Sequence, residues 1–114
     1  MEWNRLTDAE ITEIGVDFDM TIARSSFPDF IPQEPLEGAI EALQKLDRMG
    51  YEIHIYTARH WSDVRNIQKY CDYYKIPVKK IICGKPLFRC MIDDKNIAFR
   101  GDWSTMVDEV EKFK

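Results

Sequence analysis

The chain has 114 residues, of which 45% are hydrophobic and 32% charged, and these values are typical of one globular domain over residues 1–114. No apolar run approaches the roughly 18 residues of a membrane span and no signal-peptide pattern opens the sequence, so we expect a cytoplasmic protein without a membrane partner. The formal net charge of -4 gives no general attraction to nucleic acid, although a local basic patch can still bind a phosphorylated end.

The first predicted element is an apolar strand over residues 14–16 that ends in two carboxylates, Asp17 and Asp19. A strand in a parallel sheet is buried on both faces and cannot hold a charge cheaply, so both carboxylates should emerge at its C-terminal edge. Phe18 lies between them and should point the other way, into the core. Open α/β sheets bind their ligands at this edge.

The next segment, residues 22–34, is predicted to be a structured loop because it contains two prolines and a pair of serines. It also carries three large apolar residues, Phe27, Phe30 and Ile31. They are consistent with two interpretations: a flap packed over a ligand, or a loop anchored to the body of the protein.

Helices and strands alternate after this loop. Pro35 in the first turn, apolar residues at helical spacing and Gly50 as the cap predict the first helix. The later elements are a strand over 51–57, a helix from about 62 to 74, short strands over 80–83 and 90–92, and a helix over 103–113. This order predicts a three-layer α/β/α, Rossmann-like fold with a mostly parallel central sheet.

The three cysteines, Cys71, Cys83 and Cys90, are an odd number without CxxC spacing, and we expect apolar surroundings for them. We interpret all three as reduced core thiols rather than as zinc ligands or disulfide partners.

Polar residues follow four of the predicted strands where each one ends. They are Asp17 and Asp19, Thr57, Lys85, and Asp93 with Asp94. Because the C-terminal ends of parallel strands lie along one edge, we expect these side chains in one crevice. Four carboxylates repel one another unless a cation lies among them, and oxygen ligation favours Mg²⁺. With a hydroxyl and an ammonium to hold phosphate oxygens, the chemistry indicated is phosphoryl transfer.

These residues carry a family resemblance. Asp-Phe-Asp-Met-Thr at 17–21, Thr57 after an apolar strand, Lys85 before Pro86, and Ile-Asp-Asp at 92–94 resemble motifs I to IV of the haloacid dehalogenase (HAD) superfamily. The resemblance covers nearly the whole chain and extends to small phage and bacterial members and to the phosphatase module of polynucleotide kinase-phosphatases. It implies a phosphomonoester hydrolase whose substrate is a nucleotide, a nucleic-acid end or a sugar phosphate.

The resemblance also implies roles for single residues. Asp17 would be the nucleophile that forms an aspartyl-phosphate, and Asp19 the general acid and base. Thr57 and Lys85 would hold the transferring phosphoryl group. Mg²⁺ would bind Asp17, the backbone carbonyl of Asp19 and one residue of the final acidic pair, with Asp94 as the direct ligand and Asp93 in support, or the reverse.

Further candidates would bind the rest of the substrate. The substrate-binding set is Thr57, Ala58, Arg59, Lys85 and Arg24. Arg59 is consistent with a grip on a second phosphate or sugar, and equally with a surface arginine beside a helix. Trp61 is consistent with stacking on a base or with packing against the body of the protein.

The sequence departs from the family pattern at Met20, where many members have glycine, which eases the turn after the first strand. Neither residues 22–34 nor residues 58–84 have room for a folded cap domain. We therefore expect a capless enzyme with an open site, whose substrate is large or is covered by the partner subunit of a homo-oligomer.

Two other functions agree with the same residues. Receiver domains also combine an acidic pair, a hydroxyl and a Lys-Pro dipeptide, so a phosphoaspartate signalling or phospho-ligand binding module is one alternative. The other is an inactive scaffold.

Overall fold

The computed structural model describes residues 11–26 and 28–113, so Phe27 of the predicted flap lies outside the described residues. The strands are β1 (Glu13–Val16), β2 (Ala23–Ser25), β3 (Pro32–Pro35), β4 (Glu52–Tyr56) and β5 (Lys80–Ile82). The helices are α1 (Ala39–Arg48), a 3₁₀ turn (Trp61–Asp63), α2 (Val64–Tyr74) and α3 (Met106–Glu111).

A parallel three-stranded sheet in the order β1-β4-β5 is the centre of the fold. Its register places Val16 beside Ile55 and Ile55 beside Ile81, so apolar residues of three strands line one face. The buried sides of α1 and α2 belong to the same core cluster. The prediction of a small α/β fold around a parallel sheet is confirmed.

Helix α1 shows how closely residue spacing predicts burial. Leu43 and Leu46 are buried on one face together with the alanines at 39 and 42, at the spacing of an amphipathic helix. The helix ends just before Gly50, as predicted. Its start is different: Pro35 is the last residue of β3 rather than part of the first helical turn. Gly38, with φ of +81°, interrupts the helical path, so the helix begins only after it.

Helix α2 begins within two residues of the predicted start, and Ile67 and Cys71 are buried on its inner face. It ends at Lys75, which takes a left-handed conformation with φ of +58°. With 11 residues it is the longest helix in the described ranges, where no helix is long and apolar enough to cross a membrane.

The segment predicted as a loop over 22–34 contains an antiparallel hairpin, β2 with β3, which we call the flap hairpin (residues 23–35). The prediction missed it because prolines begin and end β3, and proline is ordinarily a signal against a strand. The hairpin forms a separate two-stranded sheet, and such edge positions tolerate proline because no backbone donor is needed there. The Tyr70 hydroxyl donates a hydrogen bond to the carbonyl of Gln33, which fastens the hairpin to α2.

The predicted strand over 90–92 is wrong, because residues 83–105 contain neither helix nor strand. Ile92 is fully exposed, and Leu87 and Phe88 are exposed as well. A three-residue apolar run is too short to hold an extended conformation unless a neighbouring strand pairs with it. Among the described strands none does so, and β1 lies at one edge of the sheet.

The three cysteines differ in burial. Cys71 and Cys83 are buried, as predicted, whereas Cys90 is exposed, so its interpretation as a core thiol is wrong. Burial raises the pKa of the Cys71 thiol to about 12 and also raises the pKa of the Cys83 thiol.

We predict that only Cys90 reacts rapidly with a thiol reagent in the folded protein at pH 8. The thiolate is the nucleophile, and a pKa of about 12 leaves roughly one Cys71 molecule in 10⁴ as thiolate at that pH. Mass spectrometry of the labelled peptides measures the order of reaction, and all three cysteines should react once the protein is unfolded in urea. Labelling of Cys71 as fast as Cys90 would contradict the packing described above.

Candidate active site

The end of β1 separates its side chains as the sequence predicts. Phe18 is fully buried and meets the Tyr70 ring edge-on, with the ring centroids 5.2 Å apart. Asp17 and Asp19 stay outside this core, with side chains 39% and 20% exposed. The pair of carboxylates therefore lies at the C-terminal edge of the sheet, and Asp17 is the more accessible of the two.

The turn after β1 places Met20 in a backbone conformation that favours glycine. Met20 has φ of +59°, in the left-handed region that glycine adopts without cost and other residues rarely enter. The turn is closed by hydrogen bonds from the amides of Ile22 and Ala23 to the carbonyl of Phe18. The Met20 sulfur in turn accepts a long hydrogen bond, 3.5 Å, from the amide of Ser25.

Asp17 faces a hydroxyl and a cation. Thr21 donates its hydroxyl to Asp17 Oδ2 at 3.2 Å, and Lys85 Nζ lies 3.9 Å from Asp17 Oδ1. The same ammonium lies 5.5 Å from the centre of the Tyr56 ring, which adds a cation–π contact. Lys85 is thus oriented towards the more exposed carboxylate.

Two backbone hydrogen bonds join the loop after β4 to the loop after β5. Lys85 donates its amide to the carbonyl of Thr57 at 2.9 Å, and Gly84 donates to the carbonyl of Arg59 at 2.8 Å. Thr57 itself is 1% exposed, and its hydroxyl accepts a hydrogen bond from the Arg59 amide at 3.2 Å. The predicted convergence of Thr57 and Lys85 is therefore present, with the Thr57 hydroxyl turned towards its own loop.

Arg59 makes the strongest side-chain interaction of the site. Its Nε and Nη2 atoms donate to the two carboxylate oxygens of Asp19 at 2.8 and 2.6 Å, a bidentate arrangement. Ser25 donates its hydroxyl to the same carboxylate at 2.6 Å. This bonding to Asp19 raises the pKa of the Arg59 guanidinium above its usual value. The Asp19 carboxylate thus has one fixed orientation.

The guanidinium also reaches two further elements. It donates to the carbonyl of Phe30 in the flap hairpin and lies 3.5 Å from the carboxylate of Asp63 at the start of α2. Its centre is 5.5 Å from the buried Phe18 ring. The Arg59 side chain is thus mostly buried and paired with Asp19, and its predicted contact with a second phosphate or sugar of the substrate stays a prediction.

Arg24 and Ala58, the other residues of the predicted substrate-binding set, are both exposed. Arg24 pairs with Glu34 across the flap hairpin at 3.5 Å, where both side chains are at least half exposed. Ala58 is exposed in the loop between Thr57 and Arg59.

The acidic pair of the last motif occupies an exposed turn. Asp93 accepts a hydrogen bond from the amide of Lys95 at 3.3 Å. The Asp94 carboxylate lies 3.7 Å from the Lys95 ammonium, whose charge lowers the pKa of Asp94. Both contacts are local to the turn.

Asp17 and Asp19 match Mg²⁺ in kind, because carboxylate oxygens are its preferred protein ligands. They do not match it in number: within residues 11–26 and 28–113 no group of three or more His, Cys, Asp or Glu side chains could hold a metal ion. The Asp19 carboxylate is moreover occupied by Arg59 and Ser25. The side chains that the fold brings together are therefore an incomplete ligand set.

Two residues of the site had no predicted role. Thr21 and Ser25 both donate hydroxyl hydrogen bonds to the carboxylates. Thr21 stands in the motif itself, so its spacing from Asp17 was a usable signal. Ser25 comes into reach only because the flap hairpin folds back, and nothing in the sequence around it indicates that contact.

Comparison with known proteins shows the fold of this chain and no activity. No family model matches the chain, and no curated protein matches it significantly. A crystal structure of a structural-genomics target from Vibrio cholerae is similar at 24% identity and a TM-score of 0.72, covering 90% of this chain and 96% of that one. A conserved protein from Bacteroides thetaiotaomicron is similar at 21% identity and a TM-score of 0.67, covering 92% and 93%. Likeness at these identities carries architecture and no activity.

We predict that Arg59→Met destabilises the protein by about 2 kcal/mol, because it leaves the mostly buried Asp19 carboxylate without its charged partner. Arg24→Met is the matched control. Its exposed ion pair should contribute less than about 0.5 kcal/mol. Urea unfolding measures both, and equal effects of the two substitutions would contradict the central place given to Arg59.

We predict that Met20→Gly is more stable than Met20→Ala by roughly 1 kcal/mol, because only glycine takes the left-handed conformation at this position without strain. Met20→Ala should stay close to the wild type, since the Met20 side chain is more than half exposed. The midpoints of urea unfolding, compared between variants with the same m-value, measure this difference in stability. An alanine variant as stable as the glycine variant would show that the turn does not require this conformation.

Proposed function

We propose that the protein is a Mg²⁺-dependent phosphomonoester hydrolase of the HAD type that works through an aspartyl-phosphate. The observation that supports it best is the pairing of Asp17, a partly exposed carboxylate at the C-terminal edge of the sheet, with the Lys85 ammonium 3.9 Å away. A carboxylate that attacks phosphorus needs access to it and a cation for the phosphate oxygens. This pair supplies both.

The proposed steps give each of these side chains one role. An oxygen of Asp17 attacks phosphorus and the ester oxygen leaves, while Lys85 balances the charge on the phosphate oxygens. Asp19 enters the first step with a proton, gives it to the leaving oxygen, and as a carboxylate then takes one from the water that hydrolyses the aspartyl-phosphate. Arg59 and Ser25 hold the Asp19 carboxylate in place for the second transfer, in which it acts as the base.

Mg²⁺ belongs to the proposal through the sequence resemblance and the oxygen donors of Asp17. When bound, it would supply positive charge to the phosphate. Asp17, the carbonyl of Asp19 and either Asp94 or Asp93 would hold it. The acidic pair itself lies in an exposed turn and contacts Lys95.

The proposed substrate is a phosphomonoester of a small molecule or of a polymer end, processed in the cytoplasm by a protein without a cap domain. Among the described residues, those between β1 and α1 form the flap hairpin and residues 58–84 form a 3₁₀ turn, α2 and β5, and neither segment builds a folded cap. A second subunit of a homo-oligomer is the proposed cover for such a site.

The bonding of Asp19 favours one alternative. A carboxylate fully engaged by Arg59 and Ser25 is less free to activate water, and the aspartyl-phosphate would then persist, as in a receiver-like signalling module. The two functions differ in one observable, the lifetime of the phosphorylated protein.

We predict that Asp17→Asn lowers kcat/KM for p-nitrophenyl phosphate at least about 10³-fold, because the amide cannot serve as the nucleophile. Asp29→Asn, at an exposed position in the flap hairpin, is the matched control and should keep wild-type activity. Chelation of Mg²⁺ should stop turnover and added Mg²⁺ restore it, with release of phosphate as the measurement.

Undiminished turnover by Asp17→Asn would overturn the proposal. A wild-type protein that incorporates phosphate from a small phosphodonor into Asp17 but releases none would instead support the receiver-like module.

A further inference from the structure

Trp61 is an exposed aromatic residue beside the site. It begins the 3₁₀ turn that follows the loop with Thr57 and Arg59, and it is 55% exposed. A tryptophan that served only to pack the core would be buried, as Trp103 is. An accessible indole next to polar side chains indicates a contact surface.

The indole ring of Trp61 lies close to Gly84. A Cβ atom at position 84 would lie 3.3 Å from Nε1 of Trp61, so the ring rests against the backbone at Gly84. Gly84 has φ of +77° and donates its amide to the Arg59 carbonyl. Lys85 is the next residue, and its ammonium faces Asp17. The indole therefore adjoins the loop that carries the phosphate-binding cation of the proposed reaction.

Other exposed apolar groups adjoin the same residues. Met20 directly follows Asp19 and is 54% exposed, and Phe30, whose carbonyl accepts the hydrogen bond from Arg59, is 44% exposed. A sugar presents hydroxyl groups that need polar partners, whereas a flat ring gains from apolar surface and from stacking on an indole. The surroundings of the carboxylates thus favour a ring over a sugar as the group attached to the phosphate.

We propose that Trp61 determines the substrate class, by stacking on a flat aromatic ring in the leaving group of a phosphomonoester. This inference rests on the proposed function, in which Lys85 and Asp17 take the phosphate. The ring is either a nucleobase or a simple aryl group, which share the stacking chemistry. Stacking of a base on an aromatic side chain changes affinity by roughly 5- to 150-fold on truncation to alanine.

The test compares three phosphomonoesters: p-nitrophenyl phosphate, adenosine 5'-monophosphate and glycerol phosphate, which has no ring. Trp61→Ala should lower kcat/KM roughly 5- to 150-fold for a ring substrate, mainly through KM, and change it less than about twofold for glycerol phosphate. Trp61→Phe should lie between alanine and the wild type. Tyr73→Ala, the control, removes an aromatic residue of α2 that is even more exposed than Trp61 and should change none of the three.

Each outcome decides one point. A loss restricted to adenosine monophosphate supports a nucleobase, and a loss restricted to p-nitrophenyl phosphate supports a simple aryl group. An equal loss for all three substrates overturns the inference, because Trp61 would then only stabilise the loop. No loss for any of them overturns it as well, because Trp61 would then make no contact with the substrate.

Equilibrium binding separates this inference from the proposed function. In an Asp17→Asn background, calorimetry with phenyl phosphate should show that Trp61→Ala weakens binding, and that binding of glycerol phosphate is unaffected. A protein that binds phenyl phosphate through Trp61 but hydrolyses no phosphomonoester supports the stacking site and overturns the hydrolase. If the protein hydrolyses phosphomonoesters but Trp61→Ala changes neither kcat/KM nor binding, the hydrolase is supported and the stacking site is overturned.

Discussion

The bidentate ion pair between Asp19 and Arg59 is the interaction on which the rest of the site depends. One guanidinium fixes the carboxylate at the end of β1, donates a hydrogen bond to the Phe30 carbonyl of the flap hairpin and lies beside Asp63 at the start of α2. A lysine has the charge but not the planar fork, so it could hold one of these partners and not all of them. The flap hairpin and the Asp19 carboxylate therefore share one partner, the Arg59 guanidinium.

Much of the fold follows from patterns that are local in the sequence. The spacing of Leu43 and Leu46 predicts the buried face of α1, and alternation at the end of β1 predicts that Phe18 turns inward between two outward carboxylates. The approach of Lys85 to Thr57 was also predictable, because parallel strands bring their C-terminal ends to one edge. Periodicity and topology are sufficient for these features.

What could not be predicted depends on partners distant in the chain. Arg59 is 40 residues from Asp19, and its sequence neighbours are equally compatible with a surface position or a substrate contact. Residues 90–92 have the composition of a strand, but a strand exists only where another one pairs with it, and no local pattern reports that pairing. The hairpin of β2 and β3 could not be predicted either, because the prolines of β3 are a signal against a strand. That signal holds for the inside of a sheet and not for a two-stranded one.

The described residues outside glycine with positive φ are Met20, Phe30 and Lys75, and the first two adjoin the carboxylates. Lys75 ends a helix, where a left-handed residue is ordinary. The other two carry backbone strain of the kind that persists only where surrounding contacts impose it, and Arg59 supplies such a contact to Phe30. Any displacement of the flap hairpin at Phe30 must therefore break a hydrogen bond of the same guanidinium that holds Asp19. Access to the site and the orientation of its second carboxylate are thus physically coupled, and Met20, the other residue with strained backbone, directly follows that carboxylate.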